Sequence, residues 1–260
     1  MFKKKKESQR GHRMTLLKKD VPFQFVEAFK ILRTNLIFAL SQKKSNIFAV
    51  SSALPGEGKS TTAANIAISM AQTGSKILII DADMRKPVQH KVFKLSNQKG
   101  LSTLIGGMHS FKEVLNADII PNLDVITSGP IPPNPSEILA SDNMKTLLGE
   151  LSKQYNYIII DTPPINIVTD AITIVPDIAG VILVSMQAST PLTAFQQAID
   201  SVKFAEGAIL GAVVTNVNVV SGKYNYKYKY KYSYKYRNYH YGEEGSTKKL
   251  NDEEYVEIAE

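Results

Sequence analysis

The chain has 260 residues, 43% hydrophobic and 21% charged, with a formal net charge of +7 and no cysteine. That length allows one large α/β domain with a sizeable core, and the missing thiol excludes a disulfide framework, a cysteine nucleophile and a thiolate metal site. The charge is uneven: residues 1–20 carry +6, residues 21–220 hold fifteen basic and fifteen acidic side chains, and residues 221–260 carry +1. A neutral body argues against a general nucleic-acid-binding surface. The four histidines are scattered and give no metal-ligand spacing. No apolar run approaches the ~20 residues of a membrane span. The apolar stretch after the Lys-rich start is too short for a signal peptide, so a cytoplasmic protein is expected.

The first periodic segment is Glu27–Leu40, where Ala28, Ile31, Leu32, Leu36 and Leu40 recur at helical spacing, with Glu27, Lys30 and Arg33 on the polar face. Short β-branched runs then alternate with helical stretches. Strands are predicted at Ile47–Ser51, Ile77–Ile80, Leu123–Ile126, Tyr157–Ile160, Val181–Val184 and Ala208–Val214. The helices are predicted at Ser60–Thr73, Gly100–Gly106, Phe111–Leu115, Ser136–Tyr155, Asp170–Ile174 and Pro191–Glu206. Gly74 sits where a helix C-cap belongs. Continuous apolar strands separated by helices predict an α/β fold, a mostly parallel sheet with helices on both faces. The domain reading is a basic flexible arm at 1–20, a P-loop domain at 21–220 and a low-complexity, disordered tail at 221–260.

Ala53-Leu54-Pro55-Gly56-Glu57-Gly58-Lys59-Ser60 follows one predicted strand and opens a helix, the context a P-loop requires. Pro55, Gly56, Glu57, Gly58, Lys59, Ser60 and Thr61 are therefore the candidate ATP-binding residues. The two glycines let backbone N–H groups approach phosphate, Lys59 reaches the β/γ-phosphates and Ser60 offers its hydroxyl to Mg²⁺. Two further acidic sites stand at strand ends, where ligands bind in open α/β sheets. Ile77–Ile80 runs into Asp81-Ala82-Asp83-Met84-Arg85, and Ile158–Ile160 into Asp161-Thr162-Pro163-Pro164. A carboxylate there is costly unless a cation or donor meets it, which Mg²⁺ beside a triphosphate would do. The bland alternatives are a helix N-cap for Asp161 and ion pairs with Arg85 or Lys86 for Asp81 and Asp83.

Taken together, the P-loop, the apolar strand ending in Asp81-Ala82-Asp83-Met84-Arg85, the strand ending in Asp161-Thr162-Pro163-Pro164 and a C-terminal tyrosine cluster resemble the bacterial tyrosine kinases of capsule and exopolysaccharide operons. The same nucleotide motifs occur in partition and division-site ATPases, but those carry a signature lysine where this chain has Leu54. The alternative function is such an ATPase, switching dimerisation and DNA or membrane binding. The resemblance implies a tyrosine autokinase that uses ATP and Mg²⁺. Lys59, Ser60 and Thr61 would hold phosphates and metal, Asp83 and Asp161 would help bind Mg²⁺, and Asp81 would be the base for the tyrosine hydroxyl. Arg85 either bridges to phosphate or pairs with Asp83. Asn216 resembles an adenine-contacting asparagine, with strand-end capping as the other reading. The family's Glu-x-x-Arg-x-x-Arg helix, which meets the neighbouring subunit in a ring, here reads Glu27, Lys30, Arg33; Lys30 keeps the charge without the bidentate fork. The implied partners are a membrane polysaccharide copolymerase that activates the kinase, other copies of the chain and a cognate tyrosine phosphatase, with no nucleic acid. The implied location is the inner face of the cell membrane.

Of twelve tyrosines, nine lie between Tyr224 and Tyr241: Tyr224, Tyr226, Tyr228, Tyr230, Tyr232, Tyr234, Tyr236, Tyr239 and Tyr241, with Lys or Arg between most of them. Period-two alternation is also compatible with a two-faced edge strand. Aromatic and basic interleaving is compatible with stacking on single-stranded nucleic acid. The kinase reading makes these tyrosines phosphate acceptors on a flexible tail. The Lys3–Lys6 run with Arg10, Arg13, Lys18 and Lys19 reads as a solvated arm that could sit against anionic headgroups.

Overall fold

The computed structural model describes residues 15–18 and 20–217, all within the unit Met1–Val217. The tyrosine cluster and the Lys3–Lys6 run lie outside the described residues. Seven strands form one sheet: β1 (Ile47–Ser52), β2 (Ile77–Asp81), β3 (Leu115–Ile120), β4 (Leu123–Ile126), β5 (Tyr157–Asp161), β6 (Val181–Met186) and β7 (Ile209–Thr215). Their order is β3-β4-β2-β5-β1-β6-β7. All pairings are parallel except β3 with β4, so the predicted mostly parallel sheet is observed with an antiparallel edge added.

Period-two alternation sorts the strand side chains into two layers. Ile47, Ala49, Leu78, Ile80, Ile158, Ile160 and Leu183 enter one core; Phe48, Val50, Ile77, Ile79, Ile159, Ile182 and Val184 enter the other. The second layer is covered by α1 (Phe23–Ser41) through Leu36 and Leu40 and by α2 (Lys59–Ala71) through Ile66 and Met70. The first is covered by α4 (Leu101–Ile105), α6 (Pro135–Leu139), α7 (Asp142–Leu151), α8 (Asp170–Thr173) and α9 (Leu192–Phe204). Each fully buried Ile or Leu contributes about 1.5–3 kcal/mol, so burial on both faces is what holds these short strands.

Three elements depart from the sequence expectation. The helix at Phe111 is α5 (Phe111–Val114), and Leu115 already begins β3, which was not predicted. The single helix Ser136–Tyr155 is two: Ser141 interrupts it and caps α7 by accepting from the Met144 N–H at 3.3 Å. A short helix, α3 (Gln89–Val92), follows the Asp81–Arg85 segment. Gly74 takes the left-handed φ of 87° expected of a cap. At the N-terminal edge, Thr15 is buried and the Leu16 N–H donates to Asn65 Oδ1 on α2 at 2.7 Å. Along α1, Lys30 pairs with Glu27 at 2.7 Å, while Arg33 donates to the Ser69 carbonyl of α2 at 2.6 Å.

Candidate active site

The sheet order puts β5 between β2 and β1, so the acidic ends of β2 and β5 lie beside the loop that leaves β1. Asp81 and Asp161 are directly paired in register, and Val50 of β1 is paired with Asp161 from the other side. This is the C-terminal edge of a parallel sheet, where ligand sites form. Gly56 and Gly58 adopt φ of 87° and 92°, conformations that L side chains rarely take. At Gly58 a Cβ would also meet Thr215 Cγ2 at 3.3 Å. The loop then opens α2, whose N-terminal N–H groups face an anion-binding position.

Lys59 lies across the two carboxylates. Its Nζ donates to Asp83 Oδ2 at 2.8 Å and lies 3.4 Å from Asp161 Oδ1 and 3.1 Å from Ser60 Oγ. Burial alone would lower the lysine pKa, but Asp161 and Asp83, with Asp81 behind them, outweigh it and hold it above its ordinary value. Asp161 is fully buried, and burial pushes its pKa up against the hydrogen bonds of Ser60 and Gln89. Asp81, also fully buried, is pushed up to about 8 by burial and then by the Asp161 charge. Its carboxylate accepts from three backbone amides: Asp83 N at 3.2 Å, Val88 N at 2.9 Å and Gln89 N at 2.8 Å. Asp83 in turn accepts from Lys86 N at 3.0 Å, so the 81–89 segment is folded around its own two acids.

Lys59, Ser60 and Asp83 line a cavity of about 390 Å³ with Pro55, Gly56, Lys86, Pro164 and Ile167 at its walls, and the buried Asp81 and Asp161 lie behind that lining. Among the described residues no group of three or more His, Cys, Asp or Glu side chains is arranged to enclose a metal. Mg²⁺ does not need such a cage, because it keeps several waters and binds through one or two carboxylates plus substrate phosphates. Asp83, Asp161 and the Ser60 hydroxyl, gathered on one lysine ammonium, are a donor set of that kind.

Other site residues stand differently from their expected partners. Arg85, which also lines the cavity, does not pair with Asp83: it forks onto Asp170 at the start of α8, Nε to Oδ2 at 2.8 Å and Nη2 to Oδ1 at 2.9 Å. Ser136 also donates to Asp170, at 2.7 Å, and these bonds hold the Asp170 carboxyl below its usual range despite its burial. Glu57 turns its side chain away from the cavity. It accepts from the Leu54 N–H at 2.9 Å and from the Thr190 hydroxyl, while its carbonyl accepts from Thr215 at 2.7 Å. Its contribution to a phosphate is thus left to its backbone. Asn216 is exposed at the end of β7 with φ of 55°. Sequence reasoning missed Gln89, Asp170, Thr190 and Thr215. Asp170 was visible only as the acidic first residue of a predicted helix, and the others belong to no motif.

The fold and loop define a P-loop nucleotide-binding domain, and residues 45–208 match the AAA domain family. The chain is 42% identical over 189 residues to the tyrosine-protein kinase YwqD of Bacillus subtilis, covering 72% of this chain and 79% of that protein. It is 34% identical over 222 residues to the tyrosine-protein kinase etk of Escherichia coli, covering 80% of this chain and 30% of that longer protein. Among solved structures, the kinase domain of Escherichia coli ETK matches with a TM-score of 0.73 at 32% identity, over 84% of this chain and 88% of that one. The division ATPase MinD of Pyrococcus furiosus shares the fold, with a TM-score of 0.56 at 22% identity. The chain belongs to the bacterial tyrosine-protein kinases, enzymes that transfer phosphate to protein tyrosine.

Proposed function

We propose that the protein is an autokinase that transfers the γ-phosphate of ATP, with Mg²⁺, to the tyrosines Tyr224–Tyr241 of a neighbouring copy, and that it regulates capsular or extracellular polysaccharide synthesis and export. The observation that supports this most is Lys59 shared between Asp83 and Asp161 at the mouth of the P-loop, with Asp161 the direct register partner of Asp81. In this reading the incoming phosphates draw Lys59 away from the carboxylates, which are then free to hold the metal with Ser60. Mg²⁺ supplies charge neutralisation on the transferred group. Asp81 accepts the tyrosine proton once positive charge in the site offsets the burial that raises its pKa. Since Val88 and Gln89 amides cover Asp81, the acceptor hydroxyl reaches it only when the 83–88 segment shifts. Asn216, at the end of β7, is assigned to the adenine of ATP.

The same reading gives residues 1–20 the role of a basic arm, 21–220 that of the kinase and 221–260 that of the acceptor tail. Glu27, Lys30 and Arg33 meet the next copy in a ring. A membrane copolymerase activates and docks the kinase at the inner face of the cell membrane, and a cognate tyrosine phosphatase reverses the modification. Incubation with [γ-³²P]ATP and Mg²⁺, with and without the partner's cytoplasmic segment, tests the core of this. Label retained on the protein and mapped by mass spectrometry to residues 224–241 is expected, and lost in Asp81→Asn. Release of free phosphate alone would assign the chain to nucleotide switching instead.

A further inference from the structure

Gln89 touches as many residues of the site as Lys59 does, three each. It is fully buried at the start of α3. Its carboxamide Nε2 donates to Asp161 Oδ2 at 2.8 Å and to the Ser60 carbonyl at 3.0 Å, and its own backbone N–H donates to Asp81 Oδ2 at 2.8 Å. One residue therefore fastens the β5 carboxylate, the first turn of α2 and the β2 carboxylate together. Both bonds from the amide nitrogen go to acceptors, so a flipped amide would set oxygen against oxygen, and the orientation is fixed by the network. That leaves Oε1 buried with no hydrogen-bond partner among the described residues. A buried acceptor with nothing to accept is unfavourable, and a leucine of similar length would avoid it.

The orphan acceptor sits on the same side chain that grips Asp161, beside the residue whose hydroxyl and carboxylate neighbours form the cation's donor set. Waters held by Mg²⁺ are strong hydrogen-bond donors, and outer partners of a metal's ligands orient them and tune affinity. We propose that Gln89 is a positioning residue for the divalent cation: it holds Asp161 with one oxygen occupied and the other presented to the cation, and its Oε1 accepts from a cation-bound water. This rests on the assignment of Ser60, Asp83 and Asp161 as the metal site.

The test is a titration of MgCl₂ into the full chain with a fluorescent ADP analogue, reading nucleotide affinity in EDTA and at rising Mg²⁺. In the unmodified protein Mg²⁺ tightens nucleotide binding. In Gln89→Leu, the Mg²⁺ concentration for half-maximal tightening rises about tenfold, the low end of the range for lost outer partners, while the EDTA affinity serves as the reference. Gln89→His, which keeps one ring N–H donor, recovers part of the loss and also covers the case in which the leucine variant does not fold. An unchanged Mg²⁺ midpoint in both variants overturns the proposal, as does an equal loss with and without Mg²⁺, which would assign Gln89 a purely structural role. If the unmodified protein itself shows no Mg²⁺ coupling, the metal-site assignment fails first.

Discussion

At the scale of single residues, the site is organised by one cation among buried acids. Removing Lys59 leaves Asp83 and Asp161 without their counter-charge, and breaking a buried pair of this kind costs about 3–5 kcal/mol. Lys59→Met is expected to melt lower than the unmodified chain and to be stabilised by Mg²⁺ alone, with no nucleotide, by more than the unmodified chain is. Thermal unfolding at 0 and 10 mM MgCl₂ measures this; equal Mg²⁺ shifts in both proteins would show that the two carboxylates do not form a cation site. Arg85 and Asp170 make a second, separate lock between the 81–89 segment and α8. The Asp170 carboxyl has its pKa depressed in the folded state, so the stability it contributes is present above the unfolded-state value of about 3.9 and is lost as pH falls through the lower folded value. Because the Arg85 side chain is 42% exposed, solvent screening puts the effect at the low end for a charged hydrogen bond, about 1.5 kcal/mol. Asp170→Asn should therefore lower urea stability at pH 7 and show a shallower decline below pH 4. Identical acid limbs in the two proteins would remove the pair from the stability account.

At the scale of elements, one tightly constrained junction is where the start of α4 packs against the chain that leaves β4. Leu101 and Ser102 donate to the Thr127 and Ser128 carbonyls at 2.8 and 2.9 Å, and Asn97 pairs with both backbone groups of Gly129. Gly100 lies against this crossing so closely that a Cβ would collide with Thr127 O and Gly129 N, both backbone atoms that cannot swing away. Gly100→Ala is expected to cost about 3 kcal/mol, the upper part of the overpacking range, in chemical denaturation. A loss under 1 kcal/mol would mean that the two backbones separate freely. The elements legible in the sequence are those whose environment is uniform along their length. β1, β2 and β5 are buried on both faces and read as apolar runs. β3 was illegible because Leu115–Ile120 is half-exposed, carries Asn116 and Asp118, and pairs antiparallel across a register shift. The break between α6 and α7 was signalled by Ser141-Asp142, an N-cap followed by a first-turn acid, but the flanking apolar residues kept helical spacing across it. The site divides the same way. Lys59 opens a helix, Asp81 and Asp161 terminate strands and Asp83 follows two residues after β2, whereas Gln89, Thr190 and Thr215 acquire their roles only when chain segments far apart in sequence meet.

At the scale of the whole molecule, charge is distributed so that catalysis would alter it where it matters. The body is neutral, while Lys223–Arg237 carries +6 in a stretch that also holds seven of the candidate acceptor tyrosines. Each phosphate adds about −1.5 to −2 at neutral pH, so five of them contribute roughly −7.5 to −10 and reverse the sign of the segment. Several such tails brought together by a ring would change from weakly repelling cations to strongly repelling anions, and the assembly should loosen. Repulsion between exposed charges is screened over a Debye length of about 8 Å near physiological salt and about 3 Å at 1 M, which separates this cause from a rearrangement of the subunit contact. Sedimentation of the Mg-ATP-treated protein at 50 mM salt should show smaller species than the untreated protein, and raising salt toward 1 M should restore the larger one. If the phosphorylated chains stay assembled at low salt, the tail charge does not control assembly. If they separate and high salt fails to rejoin them, phosphorylation acts through the subunit contact, proposed at Glu27, Lys30 and Arg33, and not through electrostatic repulsion.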